Sequence, residues 1–251
     1  MSLPPVGAQL LVFGSKYSVE KEPEVVLDFL AKAGYAGVEG GSSDAAAYRR
    51  LLDERGIKHA GTHVTPSAFQ DCKKLVNYLK IAGGTDVLNS GLKDWNARSL
   101  ADYQETIKIL NDAGRELQED GVQLHYHHHD FEFLETPEGS DKTGMELLLE
   151  GLDPKYVQLC VDVAWVKKGG FNPAEFLVKH QDRVSYLHFK DFNQDGWIEL
   201  GQGEVNFAEI MEVLPKLDRI RWVMIEQDTT NIDPGDSVRI SRAYLRDTFG
   251  Y

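Results

Sequence analysis

Eight short runs rich in β-branched and aromatic residues, at about 8–13, 35–39, 57–63, 85–89, 122–128, 156–162, 184–190 and 221–226, are separated by segments of helical pattern. Strands that alternate with helices pair in parallel, because each crossover helix returns the chain to the same end of the sheet. Eight such units in 251 residues predict a closed (β/α)8 barrel rather than an open doubly wound sheet. The fingerprint Gly-x-Gly-x-x-Gly is missing after the first run, which removes the main reason to expect the open form. No Pro/Ser-rich stretch, charge block or low-complexity tract interrupts the alternation, so residues 1–251 are expected to form one domain.

The helical segments carry their own punctuation. The segment 23–33 has Pro23 at its start and Gly34 just past its end. Ser99 is a candidate N-cap for a helix running to Glu119, and Gly121 opens the next strand. Further helices are predicted over 173–180, 207–214 and 236–248.

Composition narrows the partners. With 27 Lys+Arg against 40 Asp+Glu, the net charge of −13 repels a phosphate backbone, which argues against DNA or RNA. It suits a neutral or cationic small substrate, or one held by a metal ion. Apolar runs such as 8–13 fall far short of the roughly 20 residues of a membrane span. The start, Met1-Ser2-Leu3-Pro4-Pro5, lacks the basic and apolar regions of a secretory signal, although a signal already removed would leave the same picture. Cys72 and Cys160 make neither a disulfide framework nor a zinc spacing, so a cytoplasmic location is the simplest expectation.

In a (β/α)8 barrel the reacting groups project from the carboxyl ends of the strands. The second run ends at Glu39, the third at His63 and the sixth at Asp162. The fifth enters His125-Tyr126-His127-His128-His129-Asp130-Phe131-Glu132, the seventh His188-Phe189-Lys190-Asp191, and the eighth Glu226-Gln227-Asp228. An acid after a strand is often only a helix N-cap, and for Glu39 and Asp130 taken singly that reading is as good as a functional one. His59 and His180 read as packing or surface residues. Asp162 and Glu226 differ, because each closes an apolar run where an unpaired carboxylate is costly. A divalent cation would supply the counter-charge. His188 lies on the run between theirs, and Lys190, two residues on, points to the same side. By the same alternation His125, His127 and His129 share one face and Tyr126 and His128 the other. Consecutive histidines therefore cannot all meet one ion.

The segments Tyr126-His127-His128-His129-Asp130-Phe131-Glu132-Phe133, Val161-Asp162-Val163-Ala164-Trp165-Val166, Leu187-His188-Phe189-Lys190-Asp191, Gly201-Gln202-Gly203-Glu204-Val205-Asn206-Phe207 and Ile225-Glu226-Gln227-Asp228 carry a family likeness. Together with Gly34-Tyr35-Ala36-Gly37-Val38-Glu39 and His63, they make the chain resemble the sugar phosphate isomerase/epimerase group of xylose isomerase-like TIM barrels. The resemblance implies one divalent metal held by Glu132, Asp162, His188 and Glu226. Glu135 lies in the same loop as Glu132, and His127 or His129 could take its place. Three carboxylates and an imidazole form a hard site that favours Mn²⁺, Mg²⁺ or Co²⁺, with Zn²⁺ possible on affinity grounds.

Members of the group isomerise, epimerise or dehydrate sugars and inositol ketones. The inosose dehydratases share the Tyr-His-His-His segment, and some relatives cleave 3-keto-glycosides by elimination. The common step is proton removal beside a carbonyl, with the metal stabilising the enediolate. By this likeness Glu132 and Glu226 form the acid–base pair of an isomerase or epimerase. In the alternative, a lyase or dehydratase on the same ligands, His129 or His127 would protonate the leaving oxygen. Lys190 would neutralise the oxyanion or hold a hydroxyl. Glu39, His63 and His127 would line the substrate site, with Trp165 as an apolar wall. The expected partner is a small sugar, keto-sugar or inosose, with no nucleic acid or membrane. The glycines at 83–84, 169–170 and 201–203 lack the P-loop spacing, which favours a free sugar over a sugar phosphate. Acid-rich barrels often form homodimers, and no segment here marks an interface.

Overall fold

The computed structural model, which describes residues 3–251, contains ten strands. They are β1 (Val6–Gln9), β2 (Gly37–Glu39), β3 (Lys58–Val64), β4 (Asp86–Ser90), β5 (Gln123–His127), β6 (Val157–Asp162), β7 (Val184–Phe189), β8 (Asp191–Asn193), β9 (Gly196–Ile198) and β10 (Trp222–Ile225). Eight of them close a barrel in the order β1-β10-β7-β6-β5-β4-β3-β2, all pairs parallel. The other two, β8 and β9, pair antiparallel as a hairpin between β7 and β10, which the run pattern did not anticipate. Met1 and Ser2, part of the stretch read for a signal, lie outside the described residues. Among the described residues no helix is long and apolar enough to cross a membrane.

The first strand differs from its expected span of 8–13. Pairing stops at Gln9, whose side-chain oxygen accepts from the Leu11 N–H, and Leu11–Ser15 winds into a 3-10 turn. The apolar residues there serve packing rather than the sheet: Val12 and Phe13 are buried, and Phe13 stacks on Phe29. The predicted helices form with small changes at their ends, as Pro23–Ala33, Leu100–Glu119, Pro173–Lys179, Phe207–Val213 and Pro234–Phe249. Gly34 ends the first of these at φ 86°, a left-handed conformation that glycine adopts without a Cβ penalty. Ser99 caps Leu100–Glu119 in a reciprocal box with Asp102, satisfying amide groups that the first turn leaves free.

Inside the barrel, Ala60, Leu88, Cys160, Tyr186 and Met224 form a buried layer. Gly7 and Gly37 make room for it, since a Cβ at either would collide with the Met224 or Trp222 side chain respectively. The interior is thus a packed core and not a pore. Elsewhere in the barrel His125 pairs with Asp86 at 2.8 Å, and Arg221 reaches Asp86 at 2.7 Å. His125 is therefore spent on the scaffold.

Candidate metal centre and active site

Four neighbouring strands each deliver one side chain to the mouth. His127 ends β5, Asp162 ends β6, His188 stands on β7 and Glu226 follows β10. One ligand atom from each lies within 4.8 Å of the others, and all four residues are buried. His188 Nδ1 contacts Glu226 Oε2, while His127 Nε2 stands 3.5 Å from Glu226 Oε2 and 3.6 Å from Asp162 Oδ2. His127 Nε2 and Asp162 Oδ2 have no hydrogen-bond partner, which is costly for buried polar atoms. The other oxygen, Asp162 Oδ1, accepts from the Ala164 and Trp165 N–H groups at 2.8 and 3.0 Å. Asp162 is thus both a helix cap and a member of the group.

A chain of hydrogen bonds runs behind the group. Glu39 is wholly buried; burial would raise its carboxyl, but the His188 and His63 rings hold it down at about 2. As an ionised carboxylate it can only accept, so it takes the His188 Nε2–H and the His63 Nδ1–H, each at 2.8 Å. His63 Nε2 then accepts from the Ser90 hydroxyl, whose oxygen accepts from His127 Nδ1–H at 2.8 Å. Against burial, Cys160, Glu39 and Glu226 raise the His188 imidazole well above its ordinary pKa, and Asp162 and Glu226 raise that of His127, so His188 Nδ1–H donates to Glu226. A bound cation would displace those protons and meet lone pairs on His188 Nδ1 and His127 Nε2 beside two carboxylates. That donor set fits a divalent cation, and such outer partners are what orient ligating imidazoles. Glu39 accordingly sits behind His188, and only His63 of the pair is partly exposed.

Lys190 closes one side of the group. Its Nζ lies 2.6 Å from Asp228 and 3.8 Å from both Asp162 and Glu226. Burial would lower its pKa, but Glu226, Asp162 and Asp228 more than offset this and raise it above the ordinary lysine range. In return, although burial pushes both carboxyls up, Lys190 leads the groups that hold Asp162 below the ordinary range and Glu226 well below it.

Glu132 falls outside the group, contrary to its expected place as a ligand. The strand stops at His127 and the chain turns into the short helix Phe131–Leu134, so Glu132 folds back. Its oxygens accept from the Tyr126 hydroxyl and the His129 N–H, both at 2.8 Å. Burial pushes this carboxyl up to about 7 despite those bonds. Glu135 is equally occupied, in an ion pair with Arg98. From the fifth strand it is His127 that stands in the group. Glu132→Gln is expected to leave bound metal unchanged by elemental analysis; loss of metal would restore Glu132 as a ligand.

Beside the group a cavity of about 410 Å³ is lined by Trp95, His129, Phe131, Trp165 and Asp228, among others. The His129 ring packs 4.8 Å from Trp95 and 5.3 Å from Trp165. A larger cavity of about 540 Å³, lined by Thr62, Lys74 and Tyr78, contains none of the four residues. Two participants escaped the sequence reading. Ser90 ends β4, a strand whose end showed no ionisable group, and Trp197 rides on the unforeseen hairpin. The Asp195-Gly196 pair was the available signal for that turn.

Comparison with known proteins agrees with this architecture. The inosose dehydratase of Geobacillus kaustophilus is 27% identical over 88% of this chain and 85% of its own length. A sugar phosphate isomerase/epimerase from Parabacteroides distasonis superposes with a TM-score of 0.78 at 25% identity, covering 98% of this chain and 94% of that one. The D-allulose 3-epimerase of Methylomonas sp., in complex with D-allulose, shares the fold with a TM-score of 0.76 at 16% identity, covering 99% of this chain and 98% of that one. The model of one family matches residues 27–248, nearly the whole barrel, and the chain belongs to that family, the xylose isomerase-like TIM barrels.

Proposed function

We propose that this chain is a divalent-metal-dependent enzyme that removes the proton beside the carbonyl of a ketose, keto-sugar or inosose, with isomerisation or epimerisation as the outcome. The observation that carries this reading is the convergence of His127 Nε2 and Asp162 Oδ2, buried and unpartnered, with His188 and Glu226. These four residues would hold the ion. Two carboxylates and two imidazoles suit Mn²⁺, Co²⁺ or Zn²⁺ better than Mg²⁺. A bound cation supplies Lewis-acid stabilisation of negative charge on a substrate oxygen.

The chain's own groups do the rest. Glu226, ionised beside Lys190, is the base for the carbon-bound proton. Lys190, steadied by Asp228, donates to a substrate hydroxyl or the nascent oxyanion. His129 and Trp165 line the cavity side by side, and Trp165 offers its indole to the apolar face of a ring. Residues 1–251 act as one catalytic domain in this reading.

A second reading is elimination, as in a dehydratase or a lyase of 3-keto-glycosides. It is favoured by the withdrawal of Glu132 into hydrogen bonds with the Tyr126 hydroxyl and the His129 N–H, which removes the second carboxylate of an acid–base pair. Proton NMR in deuterium oxide separates the two, using Mn²⁺-loaded protein and a panel of ketoses, inososes and 3-keto-glycosides. Deuterium beside the carbonyl with a new epimer or aldose is the expected result. An enone, formed with loss of water or aglycone, selects elimination, and inertness toward the whole panel overturns both.

A further inference from the structure

Asp191 is buried directly after Lys190, yet that lysine turns away from it to Asp228. The Asp191 carboxylate is matched instead by backbone. Oδ1 accepts from the Phe192 and Val205 N–H groups at 3.0 and 3.1 Å, and Oδ2 from those of Gly201 and Gly203, each at 3.0 Å. The turn is shaped around this anion. A Cβ on Gly203 would strike Asp191 Oδ1 and the Phe192 carbonyl oxygen, and Gly201 holds φ 82°. Glu204 N–H adds a bond to the Phe192 carbonyl at 2.8 Å.

This anchoring matters because β8 and β9 have three residues each, and an isolated two-stranded hairpin is marginal in water. The hairpin carries Trp197, whose ring centre lies 4.6 Å from that of Trp165 and 4.3 Å from Lys190 Nζ. At its far end Glu199 accepts from the Thr230 hydroxyl at 2.9 Å, joining the hairpin to the loop that bears Asp228. We propose that Asp191 is a positioning residue: by gripping the 199–205 turn it locks the hairpin so that Trp197 covers the Lys190 ammonium and completes, with Trp165, the wall of the substrate site. The link to substrate rests on the function proposed above; the grip itself does not.

In the unaltered protein the amide protons of Gly201, Gly203 and Val205 are expected to exchange at least about a thousandfold more slowly than exposed loop amides. Exchange at the open-loop rate overturns the proposal without any variant. In metal-loaded Asp191→Asn, acrylamide quenching of tryptophan fluorescence should rise, and the rise should vanish in a Trp197→Phe background. With whichever panel ketone the protein turns over, KM should increase by roughly tenfold while kcat changes less. Gly203→Ala forces the same displacement with the carboxylate intact, and serves if Asp191→Asn does not fold. A folded variant with unaltered quenching and KM overturns the assignment. If no panel ketone reacts with the unaltered protein, the functional reading fails separately, and exchange and quenching still decide the role of Asp191.

Discussion

Asp162→Asn is expected to strip the ion from the centre while leaving the barrel folded. The amide oxygen can still accept from Ala164 and Trp165, so the helix cap survives. The other position becomes an NH₂ group that cannot ligate and that directs its hydrogens toward His127 Nε2 and Lys190. Affinity should fall by at least about 100-fold, the upper figure for losing a group that merely orients a ligand. Turnover should fall with it. Elemental analysis after dialysis, beside circular dichroism of the same sample, reads both halves of the expectation. A folded variant that keeps full activity would remove Asp162 from the centre.

Lys190→Ala is expected to do the reverse: to keep the ion and lose the chemistry. Its ammonium is no metal donor, but it lies 3.8 Å from Glu226, the proposed base. Removing a preorganised donor of this kind costs on the order of 100- to 1,000-fold in kcat. The pH profile should move too. Lys190 is the leading group that holds Glu226 down against burial, so its loss raises the Glu226 pKa. A base that must be ionised is then protonated sooner as pH falls, and the acidic limb of the rate profile shifts to higher pH. Unchanged kinetics at every pH would take Lys190 out of the mechanism.

The legible part of the site consists of residues whose neighbours leave little choice. Asp162 and Glu226 close apolar runs, and His188 sits on the run between them, so strand alternation alone turns all three toward the mouth. The fifth strand offered His127, His129, Glu132 and Glu135 in one short stretch. Choosing among them depends on where pairing ends, and the strand stops at His127 before a turn of helix carries Glu132 back to Tyr126. Likeness to a family pointed to Glu132 there, with His127 or His129 as substitutes, and the backbone path brings His127 beside Asp162, His188 and Glu226. Glu39 is a related case. Its position at a strand end was evident, but whether it met substrate or stood behind another residue depended on His188, 149 positions away.

Local order determined the barrel. Hydrophobic periodicity, caps such as Ser99 and stops such as Gly34 act within a few residues, so they can be read without knowing what lies across the molecule. The carboxyl-end rule then placed the chemistry at the mouth before any contact was known. Only the tertiary structure decided which donors converge, how the chain Glu39–His63–Ser90–His127 links them, and that a hairpin of two three-residue strands brings Trp197 over Lys190. The reason is one of range: periodicity is a property of neighbours in the chain, whereas ligation and hydrogen bonding require atoms from distant strands to agree within fractions of an ångström.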